Sequence, residues 1–416
     1  MPHGRGMAPP PDHRIGAREF VVLAALLQAL HALAIDAMLP ALGEIARELA
    51  APGPNDRQLI IGAFLIGAGL GSLIPGILAD RYGRRAVLFG CLIAYCTLNL
   101  ACALASDFTV LLALRGLTGF FTAGMTVLPA AMIRDRFEGD RMARLQSLVS
   151  MIFMIVPVIA PALGQGVLLF VGWRWIFGMM AAMAVLLLVW SFLRLEESLD
   201  PGLRQPISVA QVAGNLREIV MTRASIGYIL AMASTAAMFF NFLSSSQQLI
   251  AEHFGAGERF PLYFALMAAS LALANFTNSR LVMRFGARRV SHAALLAYLV
   301  IGAVQVLSAF GPEQTLWQFV VLMGLTMCLT GFISANFSAI ALQPFRHIAG
   351  SASSVLAFLR MMLGAVGGVA VGLFFDGTAR PLAVTILLAG MAALALVLFS
   401  ERGRLFRRFN YPPAEI

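Results

Sequence analysis

The chain has 416 residues, 59% of them hydrophobic and only 12% charged, a balance outside the range of water-soluble globular domains of this length. Its formal charge of +9 rests on 30 arginines and no lysine. These arginines fall between apolar blocks rather than on one basic face, which argues against a nucleic-acid surface and for topology signals and contacts with anionic lipid.

The expected fold class is an all-α membrane protein. Apolar blocks of about 18 to 25 residues, long enough to cross a hydrocarbon core of ~30 Å, are predicted as helices near 20–42, 59–79, 87–105, 109–133, 143–170 and 173–193. A second set is predicted near 224–250, 261–283, 291–310, 317–342, 350–375 and 381–399. This gives 12 transmembrane helices in two six-helix halves, 19–193 and 224–400, with a tail at 1–18, a polar linker at 194–223 and a second tail at 401–416. The first block has full spanning length and no small-residue cleavage site after it, so it reads as a retained helix.

Alternate loops differ sharply in charge: 23 arginines fall on one side and five on the other, with Arg115 and Arg360 inside spans. The positive-inside rule then puts both termini and the linker in the cytoplasm of a multi-pass protein of the bacterial inner membrane. The halves carry a weak internal repeat. Gly76-Ile-Leu-Ala-Asp-Arg-Tyr-Gly-Arg-Arg follows the second span and Ser279-Arg-Leu-Val-Met-Arg-Phe-Gly-Ala-Arg-Arg follows the eighth, with Gly83 matching Gly286.

Asp36 is the first candidate for chemistry. An ionisable group at depth costs ~2.5 to 3.5 kcal/mol on insertion scales and therefore usually faces a cavity or a partner. Pro40 has no N–H for the carbonyl of Asp36, so the spot is locally polar. Asp36 reads either as a proton- or cation-binding carboxylate or as a structural, permanently paired one. Arg115 lies about six residues, roughly 9 Å, in from the same membrane face and is its natural partner, or else a packing anchor. Arg360 lies too deep in the eleventh span to snorkel and either binds anionic substrate, pairs with a carboxylate or packs. Asn241 in the seventh span and Asn336 in the tenth are further cavity candidates, and His31 shares the helix of Asp36.

Gly76, Asp80, Arg81, Gly83, Arg84 and Arg85 match the loop signature G-x-L-a-D-R-x-G-R-R of the major facilitator fold, which the chain resembles. A closer resemblance, over nearly the whole chain, is to the bicyclomycin-resistance (Bcr/CflA) branch of drug:proton antiporters. It is carried by Ile35-Asp-Ala-Met-Leu-Pro-Ala-Leu42, Ile133-Arg-Asp-Arg-Phe137, Ala160-Pro-Ala-Leu-Gly164, Tyr263-Phe-Ala-Leu266, Asn278-Ser-Arg280 and Ala349-Gly-Ser-Ala-Ser-Ser354. The resemblance implies a gate brace in the loop signature, proton coupling at Asp36 and Arg115, and an antiporter-like bend in the fifth span at Pro157, Pro161 and Gly164. Ala160 stands where that motif has a glycine, which weakens the reading of export over uptake.

Gly67 and Gly71 in the second span, with Gly364, Gly368 and Gly372 in the eleventh, form small faces suited to helices that slide or pack closely. No HExxH, GxSxG or P-loop motif occurs, and the four cysteines lie inside spans without metal-ligand spacing. The chain is therefore expected not to be an enzyme and to use no metal or cofactor. Its expected partners are a small-molecule substrate, protons and anionic lipid, and it is expected to act as a monomer. The function these features imply is proton-coupled efflux of small drug-like molecules; a proton-coupled importer or a metabolite exporter on the same fold is the alternative.

Overall fold

The computed structural model describes residues 15–53, 55–137, 139–200, 202 and 209–406. Most of the first tail, much of the linker and the end of the second tail, with Arg5, Arg14, Arg204, Arg407 and Arg408, lie outside the described residues. Among those described, the secondary structure is helical throughout. Eleven helices are long and apolar enough to span a membrane, and a twelfth completes the set when one bent pair is taken as a single span.

The first span is α1 (Ala17–Asp36), a 3₁₀ turn at Leu39–Ala41 and α2 (Leu42–Glu48). Its break sits where Pro40 removes a donor. The second span is α3 (Leu59–Ser72) with α4 (Pro75–Tyr82), bent by 41° where Pro75 starts the new helix. Next come α5 (Arg84–Ala103) and α6 (Phe108–Arg136), and the fifth span is α7 (Gly139–Phe153) with α8 (Val156–Val171). After α9 (Arg174–Arg194), the linker contains a helix the composition did not announce, α10 (Val209–Met221). It docks by Asn215 Nδ2 donating to Ser351 Oγ at 3.0 Å.

The remaining helices are α11 (Arg223–Gln247), which ends in a π-helical turn at Gln248–His253, α12 (Phe260–Phe285), α13 (Ala287–Phe310), α14 (Leu316–Leu342), α15 (Ala349–Leu373) and α16 (Arg380–Ser400).

Helices before α10 pack mainly on each other, as do those after it, and α3 with α15 and α8 with α12 join the two groups. The first and seventh spans are the centre: 83% and 78% of their most apolar stretches are buried, against half or less in the other nine long helices. Large exposed side chains such as Phe170, Phe192, Met283 and Leu307 lie on the outer helices, where lipid replaces water.

The repeat seen in the sequence has a backbone cause. Gly83 and Gly286 take φ of 99° and 83°, left-handed turns that glycine adopts without strain between consecutive spans.

The small faces serve packing within each half. A Cβ on Gly67 would lie 1.8 Å from the Gly116 carbonyl oxygen, and one on Gly71 2.2 Å from that of Phe120, so α3 and α6 meet backbone to backbone. Gly364 and Gly368 likewise admit Phe240 and Ser244 of α11, while Gly372 faces Gln58 across the two halves.

Candidate functional site

The two central spans share a burial pattern. Arg18, Val22 and Leu26 on α1, and Ile226, Leu230 and Ser234 on α11, are half-buried or exposed at a spacing of four, one face of a helix; Gln28 is half-buried as well, and Ala17, Glu19, Arg223 and Ala224 are open at the helix starts. Beyond them, from Ala29 to Leu39 on the first span and from Thr235 to Ser246 on α11, every side chain is buried except half-buried Phe239. The two central spans are therefore partly open along one face toward the arginine-rich end and closed from near mid-span onward, the burial pattern of a cleft that ends at a roof.

The arginine-poor end is shut by polar contacts between the halves. Arg57 Nη2 donates to Glu252 Oε2 at 2.9 Å, and Arg57 Nη1 donates to Gln247 Oε1 at 3.1 Å. Beneath this pair the Gln58 and Gln248 side chains bond to each other at 2.6 Å, and Asn55 Nδ2 donates to the Phe375 carbonyl at 3.2 Å. The sequence reading counted Arg57 only as a loop charge, and nothing local signals its partner 195 residues away.

At the roof stands Asp36, the last residue of α1. It is 4% exposed and has neither a hydrogen bond nor an ion pair among the described residues. Arg115 does not pair with it. Its Nη2 donates to the Ala34 carbonyl at 2.7 Å, its guanidinium lies 4.5 Å over the Phe64 ring, and its Nε and Nη1 have no partner although the side chain is fully buried. Equal depth in the membrane thus brought Arg115 to the first helix but not to the carboxylate.

His31 also packs on Phe64, ring centroids 5.4 Å apart, with an unpartnered Nδ1. The Arg360 Nε is also buried without a partner.

Asn241 is fully buried, its Oδ1 is unpartnered, and the space beside it exists because Gly367 carries no side chain: a Cβ there would lie 2.8 Å from that oxygen. Asn336 is placed differently. It donates to Asn278 Oδ1 and to the Phe332 carbonyl, both at 2.8 Å, and so ties α14 to α12 rather than lining the roof.

The fifth-span motif meets the break in the first span. Pro157 falls in the first turn of α8 and Pro161 inside it. A Cβ on Gly164 would lie 1.8 Å from the Ala37 carbonyl oxygen, so α8 is seated on the residue that follows Asp36.

The loop signature forms a brace at the arginine-rich end. Buried Arg84 pairs with Asp80 at 2.6 Å and with Asp135 at 3.0 Å, linking α4 and α5 to the end of α6. Glu197 caps the start of α5 by accepting from the backbone N–H of Arg84 at 2.8 Å and of Arg85 at 3.1 Å. Arg85 also donates to the Phe192 carbonyl, Arg81 stacks beside Tyr82, and Gly76 meets little at that point of α4. Among the described residues no group of His, Cys, Asp or Glu is arranged to hold a metal ion.

Known proteins share this architecture. The chain is 30% identical over 395 residues to an uncharacterized MFS-type transporter, YdgK, of Bacillus subtilis, covering 92% of this chain and 96% of that one. It is 27% identical over 371 residues to the bicyclomycin resistance protein homolog of Haemophilus influenzae, with 88% and 92% covered. Among solved structures, the D-xylose-proton symporter superposes with a TM-score of 0.72 at 14% identity, covering 92% of this chain and 98% of that one, which bears on the fold alone. Residues 24–369 match the Major Facilitator Superfamily, and the chain belongs to that family: it is a multi-pass membrane transporter, not an enzyme.

Proposed function

We propose that the chain is a proton-coupled exporter of small drug-like molecules, of the kind that the name of its bicyclomycin-resistance relative indicates. In this reading it lies in the inner membrane with both termini in the cytoplasm and acts as a monomer driven by the proton gradient. The observation that carries the reading is Asp36. It is the one acidic residue away from the ends of the spans, it sits at a helix break at the roof of the cleft, and among the described residues no cation pairs with it. A carboxylate without a permanent partner is free to exchange a proton each time water reaches it, whereas a salt-bridged one is not.

Alternating access follows from the two ends. The halves rock about the roof, so the cleft opens either at the arginine-rich end, as here, or at the Arg57–Glu252 end. Substrate and proton each bias the equilibrium only through their different affinities for the two states. Export requires that the substrate-bound form release the proton of Asp36.

The test is proton release by the detergent-purified protein on addition of bicyclomycin or chloramphenicol. Release in the parent that vanishes in Asp36→Asn is the expected result. Drug binding without release in either protein would contradict coupling at Asp36. Failure of all such drugs to bind would leave the proton-coupled importer or the metabolite exporter as the better description.

A further inference from the structure

The arginine-rich side is neutralised unevenly. Up to residue 200 it holds 11 arginines against nine acids; from residue 201 on it holds 12 against three, an excess equal to the formal charge of the whole chain, +9. In the first half the charges answer one another: Arg84 pairs with Asp80 and Asp135, and Arg194 with Glu19. In the second half Arg288 pairs with Glu401 at 2.7 Å. Glu401 is buried and also accepts from Tyr228 Oη at 2.7 Å, so it neutralises nothing on the surface.

The open arginines of the second half are gathered by the end of the chain. After α16 the backbone turns back: Arg402 and Gly403 take φ of 53° and 76°, Gly403 N donates to the Leu398 carbonyl at 2.8 Å, and Phe406 N donates to His292 Nδ1 of α13 at 3.0 Å. This turn holds Arg402 and Arg404 on the end of the helices. Arg289, at the start of α13, donates to the Phe406 carbonyl at 3.4 Å, and Arg223, at the start of α11, to the Phe399 carbonyl at 3.0 Å. All four are exposed, and among the described residues none makes an ion pair.

An apolar stripe adjoins them. α10 ends two residues before Arg223 and exposes Val212, Leu216 and Val220 at a spacing of four, while Ile219 is buried and Asn215 holds the helix on α15. An open apolar helix face beside uncompensated arginines is the composition of an element that lies in a membrane interface. Arginines there attract the anionic headgroups of the leaflet. A soluble acidic partner would answer the charge but not an apolar stripe that leads into a span.

We propose that this face of the second half, Arg223, Arg289, Arg402 and Arg404 with the α10 stripe, is a docking surface for anionic phospholipid headgroups of the surrounding bilayer. The first half, whose charges are balanced, takes little part.

The experiment places the full-length protein in phosphatidylcholine vesicles and measures, with trace spin-labelled lipid, the preference of its boundary for phosphatidylglycerol over phosphatidylcholine. The parent is expected to favour phosphatidylglycerol about threefold at low salt and less at about 1 M salt. Arg223→Gln, Arg289→Gln, Arg402→Gln and Arg404→Gln combined should lower the ratio to about 1.5. Arg18→Gln, Arg134→Gln, Arg141→Gln and Arg144→Gln combined, in the first half, should leave it within about 20% of the parent.

No preference in the parent, a preference kept by the second-half variant, or equal losses in the two variants each overturn the surface. Should the second-half variant fail to fold, Arg402→Gln with Arg404→Gln, beyond the last span, decides: about half of the preference is lost, and an unchanged ratio overturns the surface. Bimane on Leu216→Cys, read against the parent labelled alike, is expected to be quenched by doxyl-labelled lipid and not by iodide; the reverse puts the stripe in water and overturns its part. Both leaflets carry the same lipid and no transport is read, so these outcomes stand apart from the orientation and the export reading proposed above.

Discussion

Pro40 ends the hydrogen-bond ladder of α1 just beyond Asp36, and Gly164 lets α8 lie on the Ala37 carbonyl beside it. The carboxylate is thus held at a joint between two spans rather than in the middle of a rigid helix. Replacing Pro40 by Ala restores a donor and lets the helix run on into α2, so ligand-linked proton release should fall several-fold with little loss of thermal stability, as read by pH-indicator dye and melting curves. Gly164→Val should be more severe: the added atoms meet a carbonyl, overpacking of this kind costs about 1–3 kcal/mol, and a lower melting temperature with lost coupling is expected.

At this scale the sequence was only half legible. Depth along a helix can be counted, so Asp36 and Arg115 were both found. Direction around it turns by 100° per residue, so an error of one residue in a boundary decides whether Arg115 meets Asp36 or, as observed, the Ala34 carbonyl and Phe64.

Among elements, length and apolarity were sufficient to place the spans, because a bilayer admits almost nothing but helices with every backbone group paired. The interruption at Pro40 was legible, whereas the bend before Pro75, inside a stretch predicted as one helix over 59–79, and the π turn at Gln248–His253 were not read from the sequence.

The glycine faces sharpen this contrast. Gly67 and Gly166 look alike in the sequence, yet a Cβ on the first would collide with the Gly116 carbonyl and one on the second would meet nothing within 4 Å. Gly67→Ala should therefore lower yield and melting temperature markedly, while Gly166→Ala leaves both at the parent value. Equal losses in the two variants would contradict close packing of α3 on α6.

For the whole molecule, the arrangement is a cleft open at the arginine-rich end and latched at the other by Arg57, Gln58, Gln248 and Glu252. Glu252 is half exposed, so the ion pair contributes only about 0.5–1 kcal/mol and can be broken in each cycle. Arg57→Ala should shift the equilibrium toward opening at that end by about two- to fivefold. The shift is read as faster maleimide labelling of Ser245→Cys, a position buried in α11 here. Unchanged labelling would mean that the latch does not hold the closed end. The two-half plan was visible in the repeated loop around Gly83 and Gly286, but the latch was not, since it joins polar residues of opposite halves that no local pattern connects.

Coupling at Asp36 is tested most directly by transport of labelled bicyclomycin into proteoliposomes under an imposed pH gradient. The account predicts accumulation when the lumen is acid, its reversal when the gradient is inverted, and loss of both responses in Asp36→Asn while passive exchange of substrate persists. Accumulation driven by an alkaline lumen, or a gradient response that survives in Asp36→Asn, would contradict it.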